Sequence, residues 1–378
     1  MTGKAMKLDT VKDAIAAMRQ GELVIVVDDT DRENEGDLIM AAGAATAEKM
    51  AFMIRHTSGI ICVPMTSERA QRLHLDPMVA NNLDPMRTAF TVSVDYRVGM
   101  TTGISAEERS GTARALANDN CGAADFLRPG HVFPLIARAG GVLTRSGHTE
   151  AATDLARLAG FEPVGVLAEV VNDDGTVKRL PELLTFSAEH KLKIVTIEDL
   201  IQYRMQTEQL LERIGPRELA VGSMKAAAYA FQSPFETLQH VVAVFGDLGD
   251  GNDIPCRIHR EQPVIDMLRR AVHQGTWFEN AMSHFKREGR GILIVIRNPA
   301  ADELLHGDGG PISSDAGAGE KHNSARTRMQ RWRDIGVGAQ ILKNLGVKSI
   351  ALLAPQEQRY IGLAGFGIGI SRTILVED

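Results

Sequence analysis

The segment "VIVVDDTDRENEGDLIMAA", Val24 to Ala42, constrains the fold of this chain most strongly. Six carboxylates occupy ten consecutive positions of the segment, between two short apolar runs. Apolar runs of this length predict buried strands. A loop held between two buried strands brings its negative charges close together, so they repel one another. The segment therefore predicts a strand, an acidic loop and a second strand, with a positive charge bound beside the loop. A solvated acidic surface is the simpler alternative.

Helical and extended patterns alternate on both sides of this segment. Thr10–Gln20 has the apolar period of a helix, with Asp9 or Thr10 as its N-cap and Gly21 at its end. Further helices are predicted over Thr46–His56 and "EAATDLARLAG", and further strands over "GIICVPM", "FTVSVDY" and "VGVLAEVV". This alternation predicts an α/β (α+β) fold in which helices form layers on a sheet.

The length of 378 residues is typical of two domains. A polar, helix-like stretch from about Ile197 to Ile214 closes the first part, and strands resume at "ETLQHVVAVFG", "GILIVIRNP" and "SIALLAP". We predict a first domain over residues 1–206 and a second, smaller α/β domain over 207–378. The segment 303–328 is rich in Gly, Ser and charge and is predicted to be a loop.

Composition excludes several classes of protein. The net charge of −6 disfavours a nucleic-acid binder, which needs a basic face. Three scattered cysteines favour a reducing compartment over a disulfide framework. The charged N-terminal stretch is no secretory signal, and no apolar run approaches the roughly 20 residues of a membrane span. We therefore expect a soluble, cytoplasmic protein that binds neither nucleic acid nor membrane.

Two further segments are polar where the pattern predicts a core. The first, "RPGHVFPL", contains His131. In the second, "RSGHTEAATDL", Thr149 is predicted to cap a helix whose start lies beside Arg145, and this combination favours a phosphate site. His148 of the same segment is a potential metal ligand.

Each of these features has a simpler interpretation. A lone histidine such as His131 more often has a structural role, and "SGHTE" is also compatible with a plain helix cap completed by Glu150. Together, however, dense carboxylates, two histidines and an anion site suit a divalent cation that holds a phosphorylated sugar. Carboxylate ligands favour Mg²⁺, and one imidazole makes Mn²⁺ acceptable as well.

Five segments in order resemble the 3,4-dihydroxy-2-butanone 4-phosphate synthase family. They are "DDTDRENEGDLI", "TVSVDYRVGMTTGISAEER", "DFLRPGHVFPL", "GGVLTRSGHTEAATDLARLAG" and "LAEVVNDDG". The similarity covers about the first 205 residues. It implies conversion of D-ribulose 5-phosphate into formate and 3,4-dihydroxy-2-butanone 4-phosphate with Mg²⁺. It also implies a homodimer whose active sites share residues across the subunit interface.

The resemblance also implies a role for individual residues. Glu33 and His148 match the metal ligands of a site that holds two close ions. His131 and Glu169 match the two residues essential for catalysis. The positions that match substrate contacts are Arg32, Glu33, Asp37, Arg145, Ser146, Gly147, His148, Thr149 and Glu169.

Other acidic residues of the loop receive lesser roles. Asp28, Glu35 and Asp37 are expected to hold the loop and to orient substrate hydroxyls. Asp31 is given no catalytic role, because a solvated or capping residue explains it equally well.

The C-terminal part resembles GTP cyclohydrolase II. The matching segments are "RIHRE" (Arg257–Glu261), "EGRGILIVIR" (Glu288–Arg297) and "RDIGVGAQILKNLGV" (Arg333–Val347). That family holds Zn²⁺ with three cysteines that follow the first segment, whereas this domain contains one cysteine, Cys256, which precedes it. A zinc enzyme uses at least three protein ligands. We therefore expect no zinc and no hydrolysis of GTP.

Other departures point in the same direction. Arg331 replaces an acidic residue of the family, and Ile335 replaces a tyrosine. His259 and His273 as substitute zinc ligands are disfavoured against ordinary structural histidines. The domain is then expected to support dimerisation, regulation or the synthase itself.

Two alternatives stay open at this point. One is a bifunctional enzyme that also hydrolyses GTP through an atypical metal site. The other is a non-enzymatic binder of phosphorylated sugars or nucleotides. The latter predicts damage at Glu33, His131, His148 or Glu169, and all four are intact.

Overall fold

The structure, a computed structural model, describes most of the chain. The described residues are 7–29, 32–235, 238–261, 266, 277–297, 335–355, 363 and 366–376. Asp31 and the segment 303–328 lie outside them. The chain divides into two compact units, Met1–Tyr203 and Arg204–Asp378. The predicted domain bounds, 1–206 and 207–378, stay a prediction.

The first unit is built on a mixed seven-stranded sheet. Its strands are β1 (Val24–Val27), β2 (Gly36–Ala41), β3 (Cys62–Met65), β4 (Val94–Tyr96), β5 (Phe126–Ile136), β6 (Gly165–Glu169) and β7 (Lys193–Thr196). The strand order is β4-β5-β3-β6-β2-β1-β7. Strand β2 pairs antiparallel with both β1 and β6, while β3 pairs parallel with β5. The acidic loop therefore connects two neighbouring strands, of which β1 lies next to the edge strand β7.

Helices cover both faces of this sheet. They are α1 (Val11–Arg19), α2 (Ala47–His56), α3 (Ser67–Arg72), α4 (Ala106–Ala117), α5 (His148–Leu158), α6 (Leu180–His190) and α7 (Ile197–Thr207). Side chains of α2, α3, α4 and α6 share one buried core with one face of the sheet. Helices α1 and α5 lie on the other face. There, α5 comes so close to β6 that a methyl group on Gly165 would lie 2.7 Å from Cβ of Ala152.

Helix starts follow local capping chemistry. Thr10 caps α1, because its hydroxyl accepts a hydrogen bond from the backbone N–H of Asp13 at 3.2 Å, which confirms one of the two predicted caps. The prediction of Thr149 as the cap of α5 is wrong. Helix α5 already begins at His148, after Gly147 in an extended conformation, so Thr149 lies inside the first turn.

The second unit also contains a seven-stranded sheet. Its strands are β8 (Glu212–Val221), β9 (Met224–Gln232), β10 (Gln239–Phe245), β11 (Ile254–Arg260), β12 (Gly291–Ile296), β13 (Ser349–Ala354) and β14 (Gly369–Leu375). The strand order is β14-β13-β11-β12-β10-β9-β8. Helix α8 (Trp277–Glu288) packs on one face, and the helical residues 335–344 contribute to the core of the other. The predicted mixed α/β fold with two sheet-containing domains is confirmed.

Two predicted elements end elsewhere in the structure. The helix-like stretch to Ile214 is wrong in its second half, because α7 ends at Thr207 and β8 begins at Glu212. Pairing of β8 along its length with β9 outweighs the local helical pattern there. The strand predicted over "FTVSVDY" is shortened to Val94–Tyr96. Of the helices in the described part of the chain, none combines the length and the apolar character that crossing a bilayer requires.

Candidate metal centre and active site

Asp28 organises the acidic loop from its first position. The residue follows β1 directly, and its carboxylate is buried. Its two oxygens accept hydrogen bonds from the backbone N–H groups of Glu33 at 3.0 Å and Glu35 at 2.9 Å. Asp28 therefore fixes the loop through the backbone, as an Asx-type turn does.

Arg32 supplies a positive charge within the loop itself. Its Nη1 lies 3.0 Å from Oδ2 of Asp28 and 2.7 Å from Oε2 of Glu33. The structure thus places Arg32 among the carboxylates, next to the predicted metal ligand Glu33. One guanidinium does not balance the whole loop, since Glu35 and Asp37 lie there as well.

His148 joins the loop from the start of α5. Its Nε2 lies 3.1 Å from the carbonyl oxygen of Val26, which accepts a hydrogen bond, so the ring proton belongs on Nε2. The other nitrogen, Nδ1, lies 3.8 Å from Oε2 of Glu33 and 4.0 Å from Oδ1 of Asp37. Nδ1 is therefore the atom of this imidazole that faces the carboxylates and is available to a metal.

Two groups of three potential ligand atoms converge here. Asp28, Glu33 and His148 form one group, and Glu35, Asp37 and His148 form the other, with the ligand atoms of each group within 4.8 Å of one another. His148 belongs to both groups. The two residues predicted as metal ligands, Glu33 and His148, thus meet although they are far apart in the sequence.

Burial and mutual repulsion shift the protonation of these groups. Burial raises the pKa of Asp37 to about 8, and repulsion by Glu169 adds to it although His148 opposes it. Burial also raises the pKa of Glu35, with a contribution from Glu33. In Glu33 burial is outweighed by the nearby imidazole of His148 and by the charge of Arg32, which lower its pKa to about 2.

The pKa of His148 is shifted by the same group of charges. Burial lowers its pKa, but the nearby carboxylates of Asp37 and Glu33 outweigh burial and raise the pKa to about 9. Without a metal, the buried pair of His148 and Asp37 therefore retains at least one proton near neutral pH. Perturbed groups of this kind in a polar cluster mark a functional site.

One buried oxygen atom supports the binding of a divalent cation by this cluster. Oδ1 of Asp37 is buried and accepts no hydrogen bond from the described residues. A buried acceptor without a partner is costly, and a cation removes that cost. Carboxylate oxygens with one imidazole nitrogen are a donor set that suits Mg²⁺ or Mn²⁺.

Glu169 lies directly beside this cluster. It ends β6, and its Cα is paired in register with that of Asp37 on β2, so the two side chains leave the same face of the sheet. The hydroxyl of Ser58 donates a hydrogen bond of 2.6 Å to Oε2 of Glu169. Cys62 on β3 is also close, since burial and the charges of Glu169 and Asp37 raise the pKa of its thiol. Neither Ser58 nor Cys62 was among the predicted site residues.

His131 lies on β5, away from the carboxylates. Strand β3 separates β5 from β6, so the backbones at His131 and Glu169 are about 10 Å apart across the sheet. Nδ1 of His131 lies 2.7 Å from Oδ2 of Asp95, and its backbone N–H donates to Oδ1 of the same residue at 2.9 Å. Asp95 is buried and was not predicted. The signal in the sequence was an acidic residue within the strand pattern "TVSVDY".

The loop before α4 closes on this histidine–aspartate pair. Gly103 has a φ of +82°, and a methyl group on it would lie 2.2 Å from Oδ2 of Asp95 and 2.8 Å from Nδ1 of His131. The carboxylate of Glu108 holds the loop, because it accepts hydrogen bonds from the hydroxyls of Thr101 at 2.9 Å and Ser105 at 2.8 Å. The pair is therefore fixed in place, while His131 itself stays about half exposed.

Residues predicted to bind phosphate gather at the start of α5. Arg145 folds back over Gly147, since a methyl group there would lie 2.4 Å from Nη1. Nη1 also lies 2.7 Å from Oε2 of Glu150, so this acid balances Arg145 rather than only completing the first turn. Ser146 is half-buried, and Thr149 is buried in the first helical turn.

This fold and this site define a two-unit α/β protein whose first unit has a carboxylate–imidazole metal centre. Residues 12–203, about half of the chain, match the family model of 3,4-dihydroxy-2-butanone 4-phosphate synthase. Residues 213–375 match the model of GTP cyclohydrolase II. The chain belongs to the 3,4-dihydroxy-2-butanone 4-phosphate synthase family and is an enzyme of that family. Both resemblances inferred from the sequence are confirmed.

Relatives agree with this assignment over the whole length. The riboflavin biosynthesis protein RibBA of Salinispora arenicola (strain CNS-205) is 44% identical over 366 residues, which cover 96% of this chain and 87% of the relative. RibBX, a two-domain 3,4-dihydroxy-2-butanone 4-phosphate synthase from A. baumannii, has 35% identity and a TM-score of 0.76, and the match covers 98% of this chain and 100% of RibBX.

A solved synthase structure also bears on the metal centre. It is a 3,4-dihydroxy-2-butanone 4-phosphate synthase in complex with two magnesium ions, 47% identical to this chain with a TM-score of 0.52. The match covers 53% of this chain and 98% of that one. Its similarity is therefore to the synthase part.

Proposed function

We propose that this chain converts D-ribulose 5-phosphate into 3,4-dihydroxy-2-butanone 4-phosphate and formate for riboflavin biosynthesis. The observation that carries the proposal is that Nδ1 of His148 faces both Glu33 and Asp37, and that Oδ1 of Asp37 accepts no hydrogen bond from the described residues. Glu33 and His148 are the proposed ligands of Mg²⁺ or Mn²⁺, as two ions per site. Family membership of residues 12–203 supports the reaction itself.

The reaction begins with removal of a proton from a carbon beside the substrate carbonyl. When bound, the cations supply positive charge for the oxygens that become negative in the enediolate. Asp37 and Glu35 orient the hydroxyls of the sugar, and the positive charge of Arg32 opposes the negative charge of the loop. The positive charge that the acidic loop requires is therefore a metal centre together with Arg32.

His131 and Glu169 are the proposed acid–base residues. Because Asp95 accepts the Nδ1 proton of His131, Nε2 is left as the acceptor and can take a proton from the substrate. Asp95 also keeps the ring in one orientation. Glu169 is held by the hydroxyl of Ser58 and is placed beside Asp37 to deliver or accept a proton there.

The start of α5 is the proposed site of the substrate phosphate. Its N-cap, Gly147, has no side chain that occupies the first amide groups of the helix. Arg145 lies over this glycine, and Ser146 and Thr149 add hydroxyls. Helix amides, a guanidinium and hydroxyls are the groups that proteins use for phosphate.

A homodimer is part of the proposal. The His131–Asp95 pair lies about two strand spacings from Glu169, so the active site benefits from a second copy that brings a further set of residues. Large apolar side chains near this pair are exposed, among them Val98 at 67% and Ile104 at 52%. Exposed apolar side chains in proximity favour contact with another protein surface.

We also propose that the second domain does not hydrolyse GTP. Cys256 is fully buried in β11, and burial raises its pKa to about 12, so it is a poor zinc ligand. His259 is engaged by Asp266 at 2.9 Å and stacks on Trp277. Within the described part of this unit, no three His, Cys, Asp or Glu side chains converge. Hydrolysis of GTP through an atypical site, with residues outside the described ranges, is the alternative.

We propose a cytoplasmic location on the basis of cysteine usage. All three cysteines are free, and two are buried, which supports the prediction of a reducing, cytoplasmic environment. The net charge of −6 supports the prediction that no nucleic acid is bound.

The test of the proposed reaction is formate release from D-ribulose 5-phosphate. We expect Glu33→Ala and His148→Ala each to lower turnover at least about 10²-fold while the far-UV spectrum stays unchanged, because each removes a proposed metal ligand. Glu48→Ala, an exposed carboxylate in the first turn of α2, is the matched control and should keep wild-type turnover. Near-normal turnover of either site variant at low Mg²⁺ contradicts the metal assignment.

A further inference from the structure

An arginine far from the acidic loop in sequence holds that loop from outside. Arg179 is the N-cap residue of α6. Its Nη1 donates hydrogen bonds to the backbone carbonyl oxygens of Glu33 at 2.6 Å and Asn34 at 2.5 Å. Both bonds carry the charge of the guanidinium, and charge-assisted bonds are about twice as strong as neutral ones.

The backbone of the acidic loop forms hydrogen bonds with two side chains, Asp28 on one side and Arg179 on the other. Its N–H groups turn inward, since those of Glu33 and Glu35 bond to Asp28. Asn34 has a φ of +54°, in the left-handed region, so the chain turns sharply at this point. The carbonyl oxygens of residues 33 and 34 face the opposite side, where Arg179 binds them. Asp28 and Arg179 together therefore fix the position of the Glu33 backbone, from which its side chain extends.

Arg179 is itself held by its surroundings. Its backbone N–H donates to Oε2 of Glu182 at 2.9 Å, and Oε1 of Glu182 accepts from the side chain of Asn172 at 3.1 Å. One turn further along α6, Leu183 packs on the loop end, because a methyl group on Gly36 would lie 2.6 Å from its Cδ1. Helix α6 thus supports the loop at two points.

We propose that Arg179 is a positioning residue for the metal centre, which acts by fixing the backbone of Glu33. The proposal rests on the proposed cation site and deepens it. Arg179 binds carbonyl oxygens and not the Glu33 carboxylate, so it orders the ligand without competing with a cation for its oxygens. Partners that orient metal ligands in this way change metal affinity by about 10- to 100-fold when they are removed.

The experiment measures Mn²⁺ binding to the full chain by calorimetry and by water-proton relaxation. We expect Arg179→Ala to weaken Mn²⁺ binding by about 10- to 100-fold and to leave the metal-free unfolding temperature close to that of the wild type. Arg179→Lys should recover part of the affinity, because an ammonium group can still donate to a carbonyl oxygen. Arg55→Ala, an exposed arginine at the end of α2, is the control and should bind like the wild type.

Two results overturn the proposal. The first is Mn²⁺ affinity of Arg179→Ala within about twofold of the wild type, where the expected loss is tenfold or more. The second is a large fall of the metal-free unfolding temperature that Arg179→Lys reproduces in full, which would mean that the guanidinium only stabilises the fold. A wild type that binds Mn²⁺ but releases no formate refutes the proposed reaction and leaves this comparison valid.

Discussion

At the scale of single residues, Asp37 and His148 show how the cluster is neutralised without a cation. Burial raises the pKa of Asp37 to about 8, and the nearby carboxylates raise that of His148 to about 9 despite its burial. This coupled pair therefore retains at least one proton in the metal-free protein at neutral pH. A metal ligand has to be deprotonated, so protons and cations compete for these two side chains.

We predict that Mg²⁺ or Mn²⁺ binding releases protons and tightens as pH rises. The sign follows from the raised pKa values, since below about pH 8 to 9 the cation has to displace bound protons. Calorimetry in two buffers of different ionisation enthalpy counts the released protons. Asp37→Asn should release fewer of them. Affinity that is independent of pH between about 6 and 9 would contradict the prediction.

Single residues also show what the sequence could reveal. The crowding of carboxylates and the "RSGHT" segment predicted a divalent cation between the acidic loop and a histidine, and the family resemblance singled out Glu33 and His148 as its ligands. Asp95 and Arg179 were not predicted. They act on partners 36 and 146 positions away, and such hydrogen bonds depend on strand order and helix placement that local patterns do not encode.

At the scale of elements, close packing of α5 on β6 positions the metal centre. His148 is the first residue of α5, so any movement of this helix moves the imidazole. The contact between Gly165 and Ala152 sets the distance between helix and strand.

The elements of the first unit that the sequence predicted are short and bounded by turns. They are the strands β1, β2, β3 and β6 and the helices α1, α2 and α5. The hairpin β8–β9 was missed, since its pairing is decided by contacts and not by local pattern.

We predict that Gly165→Ala destabilises the protein by about 1–3 kcal/mol, because its methyl group would overlap Ala152. Denaturant unfolding measures this change, and formate release should fall as α5 shifts. Gly111→Ala is the matched control. Its new methyl group would have only Arg114 at 3.9 Å, so the change should be neutral or stabilising by up to about 1 kcal/mol. Equal unfolding free energies for the two variants would refute this account of the packing.

At the scale of the whole molecule, the two sheet-containing units differ in the potential metal ligands that they bring together. The first gathers two groups of potential metal ligands, whereas the described residues of the second gather none. The family match of residues 213–375 is therefore a match of fold and sequence without a visible zinc site.

We predict that the full chain releases formate from D-ribulose 5-phosphate but not from GTP, and that the purified protein contains far less than one zinc ion per chain. Elemental analysis and a formate assay with each substrate check both parts, with Zn²⁺ added during purification as the control. Stoichiometric zinc together with turnover of GTP would establish the bifunctional alternative. Expression of the two domains separately and together then measures what the second one contributes to the first.

The in-register pair of Asp37 and Glu169 limits how this enzyme family can vary. Side chains alternate between the faces of a sheet, so sliding β2 past β6 by one position would turn one of the two acids away from the substrate. A single-residue insertion or deletion in either strand therefore separates the two groups and also turns core residues of that strand, such as Leu38 and Met40 of β2, to the other face of the sheet. Length differences among active homologues are expected in the connecting loops and not in these two strands.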